Sequence, residues 1–304
     1  MFKFISSLKN STYTIFFMVV LSFVCALILS TLASALREPQ EIAQELDRSQ
    51  QMLIAARIMN PFGYFQIQNS QGEYSPAKFT PGGILVATEN QIIPSREEIL
   101  EVYRLRIYPF LVDSKGEATT FEKANLNQEK YTAEYRKTGY YLQPFKLIYK
   151  ISPNIKAEQE PPVEGYVIPV NGMGLWDAIY GYLAIKPDGD TVIGATWYDQ
   201  KETPGLGANI SEASWQSQFP GKQIFQESAN GKTDVNTASL GLVVVKGKVS
   251  EVYGDTPKAL SALDGMAGAT LTGNGVTNAY RDVLAAYRPF LERVYKESNK
   301  NPAP

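Results

Sequence analysis

Asp264-Gly-Met-Ala-Gly-Ala-Thr270, continued by Leu271-Thr-Gly-Asn-Gly-Val276, joins a glycine-rich turn to an amphipathic C-terminal segment. Gly265 and Gly268 carry no Cβ, so the backbone can turn tightly and a bulky group can approach it. Beyond the turn, Val276, Tyr280, Val283, Leu284 and Tyr287 share one face of a helix expected over 276–296, which Pro289 should kink or divide. The first amides of that helix and its positive dipole end, near 270–275, form a seat for a phosphate. Thr270 offers a hydroxyl at that seat, and Asp264 a carboxylate six residues upstream. A threonine hydroxyl is a weak nucleophile, so an ester formed here calls for an activating base or metal on a second enzyme. Taken alone, the stretch reads equally well as a plain turn leading into a helix.

Working outward, the chain from about 145 has β character. Phe145–Ile151 and Gly165–Val170 read as strands, with Pro169 marking an edge or a bulge. Tyr180–Ile185 and Thr191–Trp197 flank Pro187-Asp-Gly-Asp190 as a hairpin. Gly241–Val245 and Lys248–Val252 are expected to add further strands. The loops 172–176 and 201–207 then open on one end of the sheet. An α+β domain, a sheet packed by helices, is the expected result. Earlier, Ser95-Arg-Glu-Glu98 is a capping box opening a helix through Ile99, Leu100, Tyr103 and Ile107, ended by Pro109. Ile42, Leu46, Leu53 and Ile58 have mainly helical spacing before Pro61 and Gly63. The remainder of 60–160 reads as an elaboration around the core.

Composition removes many chemistries. The chain has no histidine, which excludes Ser-His-Asp and Cys-His catalysis and the usual zinc and haem ligands. One cysteine, Cys25, allows neither an internal disulfide nor a cysteine-bound iron–sulfur cluster. Redox chemistry here would need an organic cofactor, and no metal site is expected. Formal charge is −2 without a basic run, so nucleic-acid binding has no electrostatic support. Between Lys9 and Arg37 no residue is charged, and Thr14–Leu29 is densely apolar, enough for a membrane-crossing helix over 13–35. Lys3 and Lys9 before it, and Glu38, Glu41, Glu45 and Asp47 after it, place residues 1–12 in the cytoplasm and the rest outside. Ala33-Ser-Ala35 imitates a signal-peptidase site, but the apolar core is longer than signal peptides use, so retention is expected.

The stretch at 264–270 resembles the flavinylation motif (Asp-x-x-Ser/Thr-Gly-Ala-Thr) of the FMN-binding domain family. That family is shared by the C-type subunit of the sodium-pumping NADH:quinone reductase and the G-type subunit of the Rnf complex. Ala267 stands where the pattern has serine or threonine, while the final threonine is kept as Thr270. Gly174-Leu-Trp176, Gly181-Tyr-Leu-Ala184 and Glu202-Thr-Pro-Gly-Leu-Gly207 occur in the order of the sodium pump's C-type subunit. Gln200-Lys201 replaces the histidine often found before that last motif. The resemblance covers 165–290 most strongly.

The resemblance implies FMN joined by a phosphoester bond to Thr270. Asp264, Gly268, Ala269, Leu271 and Thr272 would surround the link. Gly174, Leu175, Trp176, Glu202, Thr203, Leu206 and Gly207 would complete the cofactor site; the ring needs flat apolar contacts and a few donors, which Trp176, Leu206, Thr203 and backbone amides could give. Lys222 could neutralise phosphate or flavin charge. No side chain is expected to be an acid–base catalyst; the chain would relay electrons. It lacks a nicotinamide fingerprint, so NADH oxidation and quinone reduction fall to partner subunits, and maturation to a flavin transferase. One helix is too little for a sodium path, so pumping would be shared. The expected setting is a bacterial inner membrane, with a periplasmic FMN-binding domain over 161–298, a mixed region over 36–160 and a tail at 299–304. An Rnf-type subunit, or an anchored binding or scaffold module without cofactor, are the alternatives.

Overall fold

The computed structural model describes residues 2–69, 71–80, 83–132, 139–154, 162–227 and 233–300. Met1 and the tail beyond 300 lie outside the described residues. The chain divides into two compact units, Met1–Arg48 and Ser49–Pro304. Helix α1, Phe2–Ala55, begins in the first unit and ends in the second. Its segment from Tyr13 is long and apolar enough to cross a membrane, and residues 13–45 are exposed. Pro39 lies within α1 without ending it. The helix stops at Ala55, so Ile58 falls beyond the face expected for it: Arg57 turns left-handed (φ 55°), and Ile58 N–H bonds back to the Leu53 carbonyl at 2.9 Å.

In the second unit, β1 (Phe65–Gln68), β2 (Tyr74–Phe79) and β3 (Leu85–Ala87) form a small antiparallel sheet. Helix α2, Arg96–Arg106, opens on the expected capping box: Ser95 Oγ accepts from Glu98 N and Glu98 Oε2 from Ser95 N. It ends earlier than the sequence suggests. Ile107 begins a strand, β4 (Ile107–Val112), with Pro109 inside it. β5 (Ala118–Thr119) pairs only with Leu111 and Val112, so β4 is a sheet edge at Pro109 and the missing N–H costs no ladder bond.

β4 and β5 belong to a six-stranded antiparallel sheet in the order β5-β4-β6-β7-β8-β9. Its other members are β6 (Lys146–Ile151), β7 (Gly165–Met173), β8 (Ala178–Ile185) and β9 (Val192–Asp199). The boundary expected at 160/161 therefore runs through one continuous sheet. β6 pairs with β7 only at 165–167, which leaves Pro169 on a locally open edge, as its residue type requires. The β8–β9 hairpin turns where expected, with Asp188 Oδ1 accepting from the amides of Asp190 and Thr191.

The two expected strands after 240 reduce to one short one. β10 is Val243–Val244, parallel to β11 (Ala262–Leu263). Val249–Val252 is instead a helical turn, because the Asp264 carboxylate accepts from Val249 N at 2.8 Å and caps it. The C-terminal helix, α3, runs unbroken from Thr270 to Lys300 through Pro289, so it starts six residues before the expected 276 and the proline does not divide it. Its buried face (Val276, Tyr280, Val283, Leu284, Tyr287) is the one the spacing shows, and it packs on Ile168, Val170, Leu183 and Trp197. Strand alternation turns Gly194 and Thr196 to the opposite face, where the end of α1 lies: Thr196 Oγ1 donates to Gln51 O at 3.3 Å. Helices thus cover both faces of the sheet, and the loop end of β7–β9 meets the start of α3.

Candidate functional site

The loop before α3 is fixed through Asp264, whose four polar groups are all used. Its amide donates to Gln218 Oε1 (2.7 Å), and its carbonyl accepts from Trp215 Nε1 (3.0 Å). Its carboxylate takes the Val249 amide on one oxygen and the Lys248 ammonium on the other, each at 2.8 Å. Burial pushes this carboxyl up, but the Lys248 bond, the Val249 amide and the Lys248 and Lys222 charges outweigh it and hold it below its usual range. Asp264 is thus an anionic clamp joining the 247–252 turn to the loop leading to Thr270. From there the backbone turns through Gly268, left-handed at φ 72°, a conformation that a Cβ would strain.

A second clamp sits below the first turn of α3. Glu202 is 5% exposed and Thr272 1%. The Thr272 hydroxyl donates to Glu202 Oε2 in a short bond, while Glu202 Oε1 accepts from Trp176 N at 3.0 Å. Burial would raise the Glu202 carboxyl; the Thr272 hydroxyl and the amides of Trp176, Leu175 and Asp177 together bring it below its ordinary value. A carboxylate at the positive end of a helix is favourable in itself. Gly174 and Gly207 make the close packing possible, since a Cβ on either would collide with the Glu202 carboxylate, at 2.5 Å and 2.7 Å. The motifs at 174–176, 202–207 and 270–272 therefore meet, as their placement at one end of the sheet requires. Glu202 and Thr272 meet each other and support the site from beneath.

Above them, the ladder of α3 begins with Gly273 N–H bonded to the Ala269 carbonyl at 3.0 Å. The amides of Thr270, Leu271 and Thr272 precede it and have no earlier turn to bond. Thr270 is the first residue of the helix and is exposed. Beside it opens a cavity of about 360 Å3, walled by Thr270, Met266, Lys248, Lys246, Gly273 and Asn274. A neighbouring hollow of about 370 Å3 shares Lys248 and Met266 and is bordered by Asp264 and Trp215. Around the same helix start stand large exposed apolar side chains: Met173, Leu175, Trp176 (65% exposed), Leu206 and Leu271. Trp176 Nε1 donates to Thr203 Oγ1 at 3.2 Å, which lays the indole across the two loops. Single exposed apolar residues are ordinary; a cluster beside free amides is what a flat ligand needs.

Lys222 sits differently from the rest. Its ammonium donates to the Ala259 carbonyl at 2.9 Å, and burial lowers its pKa against the charge of Asp264. It reaches the site as a charge behind Asp264, and it does not wall the cavity at Thr270. The cation on that wall is Lys248, hidden in the sequence by the strand-like alternation of 248–252. Lys246-Gly-Lys248, two cations about a glycine, is the signal in the sequence that points to it. FMN fits this donor set: free amides and Lys248 for a phosphate, an exposed hydroxyl on the first helical residue, and apolar loops for the ring.

Residues 174–285 match the family of the FMN-binding domain, a span that contains both clamps and Thr270. The sheet, the loop before α3 and this match define an FMN-binding-domain protein with, among the described residues, one helix long and apolar enough to span a membrane. The C-type subunit of the Na(+)-translocating NADH-quinone reductase of Chlamydia caviae is 41% identical over 93% of this chain and 92% of its own length. The corresponding protein of Chlamydia pneumoniae is 43% identical with the same coverage, and that of Vibrio anguillarum 28% over 92% and 94%. A crystal structure of the same type of protein from Parabacteroides distasonis, 24% identical, shares the fold with a TM-score of 0.52, covering 84% of this chain and 96% of that one. The chain belongs to the family of C-type subunits of the Na(+)-translocating NADH-quinone reductase, an oxidoreductase complex.

Proposed function

We propose that this chain is an electron carrier whose FMN is esterified through its phosphate to the Thr270 hydroxyl. The observation that carries this reading is the exposed Thr270 at the start of α3, ahead of the backbone ladder and beside Lys248. Amides 270–272 and the Lys248 ammonium hold the phosphate, a charge-assisted arrangement at the positive end of a helix. Bound there, FMN supplies electron transfer in single steps, which the side chains of this protein cannot. Leu175, Trp176, Leu206 and Leu271 shield the ring from water. The Glu202–Thr272 pair keeps the three loops in register, and Asp264 sets the approach of the loop to the helix. The ester makes loss of the cofactor from an extracytoplasmic domain slow.

Relatives named as subunits of a reductase complex support partner subunits that handle NADH and quinone. A flavin transferase would form the ester, since a threonine hydroxyl needs an activating base or metal and this chain has no histidine to serve. The apolar part of α1 anchors the chain in the inner membrane, with residues 1–12 cytoplasmic and the second unit periplasmic, an orientation that the basic flank before the span and the acidic flank after it support. The test is intact mass after co-production with a flavin transferase. Wild type should gain about 440 Da that survives denaturation, and Thr270→Ala should gain none. An unmodified wild type, with a transferase active on another substrate, would refute the covalent link.

A further inference from the structure

At the opposite end of the six-stranded sheet lies a larger cavity, of about 580 Å3, that the flavin site does not use. It opens where β6 and β8 end and β7 and β9 begin, with Ile151, Glu164, Lys186 and Val192 on its wall. β7 runs nine residues from there to Met173, which at ~3.3 Å per residue puts the two sites roughly 30 Å apart. The volume is that of a small-molecule site.

The wall carries three cations, Arg57, Arg106 and Lys186, and one carboxylate, Glu164. Glu164 is committed: Arg106 Nη2 lies 2.8 Å from its Oε2, and Arg106 Nε donates to Ser152 O. Among the described residues Arg57 and Lys186 form no ion pair, so the described part of the wall carries two positive charges with no acidic partner. Arg57 is also held at a backbone cost. It occupies the left-handed position that ends α1, where glycine is the favoured residue and any Cβ is penalised. Its guanidinium lies 4.0 Å from the centroid of the Tyr74 ring, on the wall of the same cavity. Burial raises the Tyr74 phenol, with Arg57 lowering it and Glu164 raising it, so its hydroxyl stays a donor at neutral pH.

We propose that this cavity binds a small organic anion, its phosphate or carboxylate held between Arg57 and Lys186 and its apolar part against Ile67 and Ile193. The site is independent of the flavin reading, and its test separates the two. Phenyl phosphate is titrated into the full flavin-loaded chain in detergent and followed by calorimetry. Saturable binding with a Kd in the millimolar range or below is expected. Arg57→Gly suits the left-handed backbone while deleting the guanidinium, and Lys186→Gln changes an exposed charge. Each should weaken binding about tenfold or more, the loss of one charge-assisted contact. Both should keep the flavin, read by intact mass. A headgroup lipid shares the anion chemistry: tighter binding of dihexanoyl-phosphatidylglycerol than of phenyl phosphate assigns the ligand to a lipid, the reverse order to a soluble metabolite. No saturable binding of either probe, equal binding by Arg57→Gly, or equal binding of uncharged benzyl alcohol would overturn the proposal.

Discussion

Replacing Glu202 with alanine measures how much of the site depends on one buried carboxylate. The substitution leaves the Thr272 hydroxyl, 1% exposed, and the Trp176 amide without their acceptor. An unsatisfied buried donor costs about 1–3 kcal/mol. Trp176 lies on an open loop where water can replace the lost oxygen, so its share falls at the low end; Thr272 has no such access. The sum is about 3 kcal/mol, and Glu202→Gln, which keeps one acceptor, should cost about half of that. Because Thr272→Val deletes the same bond from the other side, the double-mutant cycle should return a coupling of about 1–2 kcal/mol. Urea unfolding of the full chain in detergent gives these values, with the buried Trp197 and Trp215 as fluorescent reporters. The Glu202 carboxyl sits below its ordinary value of 4.5, so its contribution is complete above that pH and decays as the pH falls through the folded value. A loss under about 1 kcal/mol for Glu202→Ala, or strict additivity with Thr272→Val, would show that the clamp is incidental.

Asp190 offers the opposite pH dependence. Burial lifts its carboxyl to about 6, against the Phe225 amide bond and with Asp188 adding to the rise. The folded state then holds the proton longer, so stability is complete below the unfolded value of 3.8 and falls as pH rises through 6, by about 3 kcal/mol at most. Asp190→Asn should flatten that slope in urea midpoints taken between pH 4 and 7.5. Gly207→Ala drives a Cβ against Thr272 and Glu202 and should cost about 2 kcal/mol with a matching fall in flavin content. Gly205→Ala, at φ 75° with nothing within 4 Å, should cost only the backbone term of about 1 kcal/mol and leave flavin content intact. Asp264→Ala removes the cap of the 249–252 turn, for about 1 kcal/mol, and frees Lys248. Flavin incorporation, followed by mass against time, should slow by more than that stability loss implies.

Much of the architecture is written in short stretches of the chain. Ser95 and Glu98 form a capping box because both partners lie within one turn. The β8–β9 hairpin forms at Pro187–Asp190 because Asp188 can bond the two amides that follow it. The face of α3 is fixed by the 3.6-residue recurrence of Val276, Tyr280, Val283, Leu284 and Tyr287, and Thr270 is marked by the turn that precedes it. Local pattern and structure part company where a distant partner decides the outcome. Lys248-Val-Ser-Glu-Val252 alternates like a strand, yet it coils because the Asp264 carboxylate supplies its cap from 15 residues away. Ile107–Val112 leaves the helix pattern for the sheet because β6 is there to pair with it.

The sequence by itself determined the apolar span, the glycine-rich turn, the helix that follows and the candidate acceptor Thr270, all consequences of neighbouring residues. Only the tertiary structure decided what each polar group does. Glu202 and Thr272, 70 residues apart, become one buried bond; Lys248 moves to the cavity wall while Lys222 turns to Ala259. Arg57, Arg106 and Lys186, scattered along the chain, come to line a second cavity. Local conformation follows from sterics and capping within a few residues, whereas the partner of a charge is chosen by which strands lie side by side.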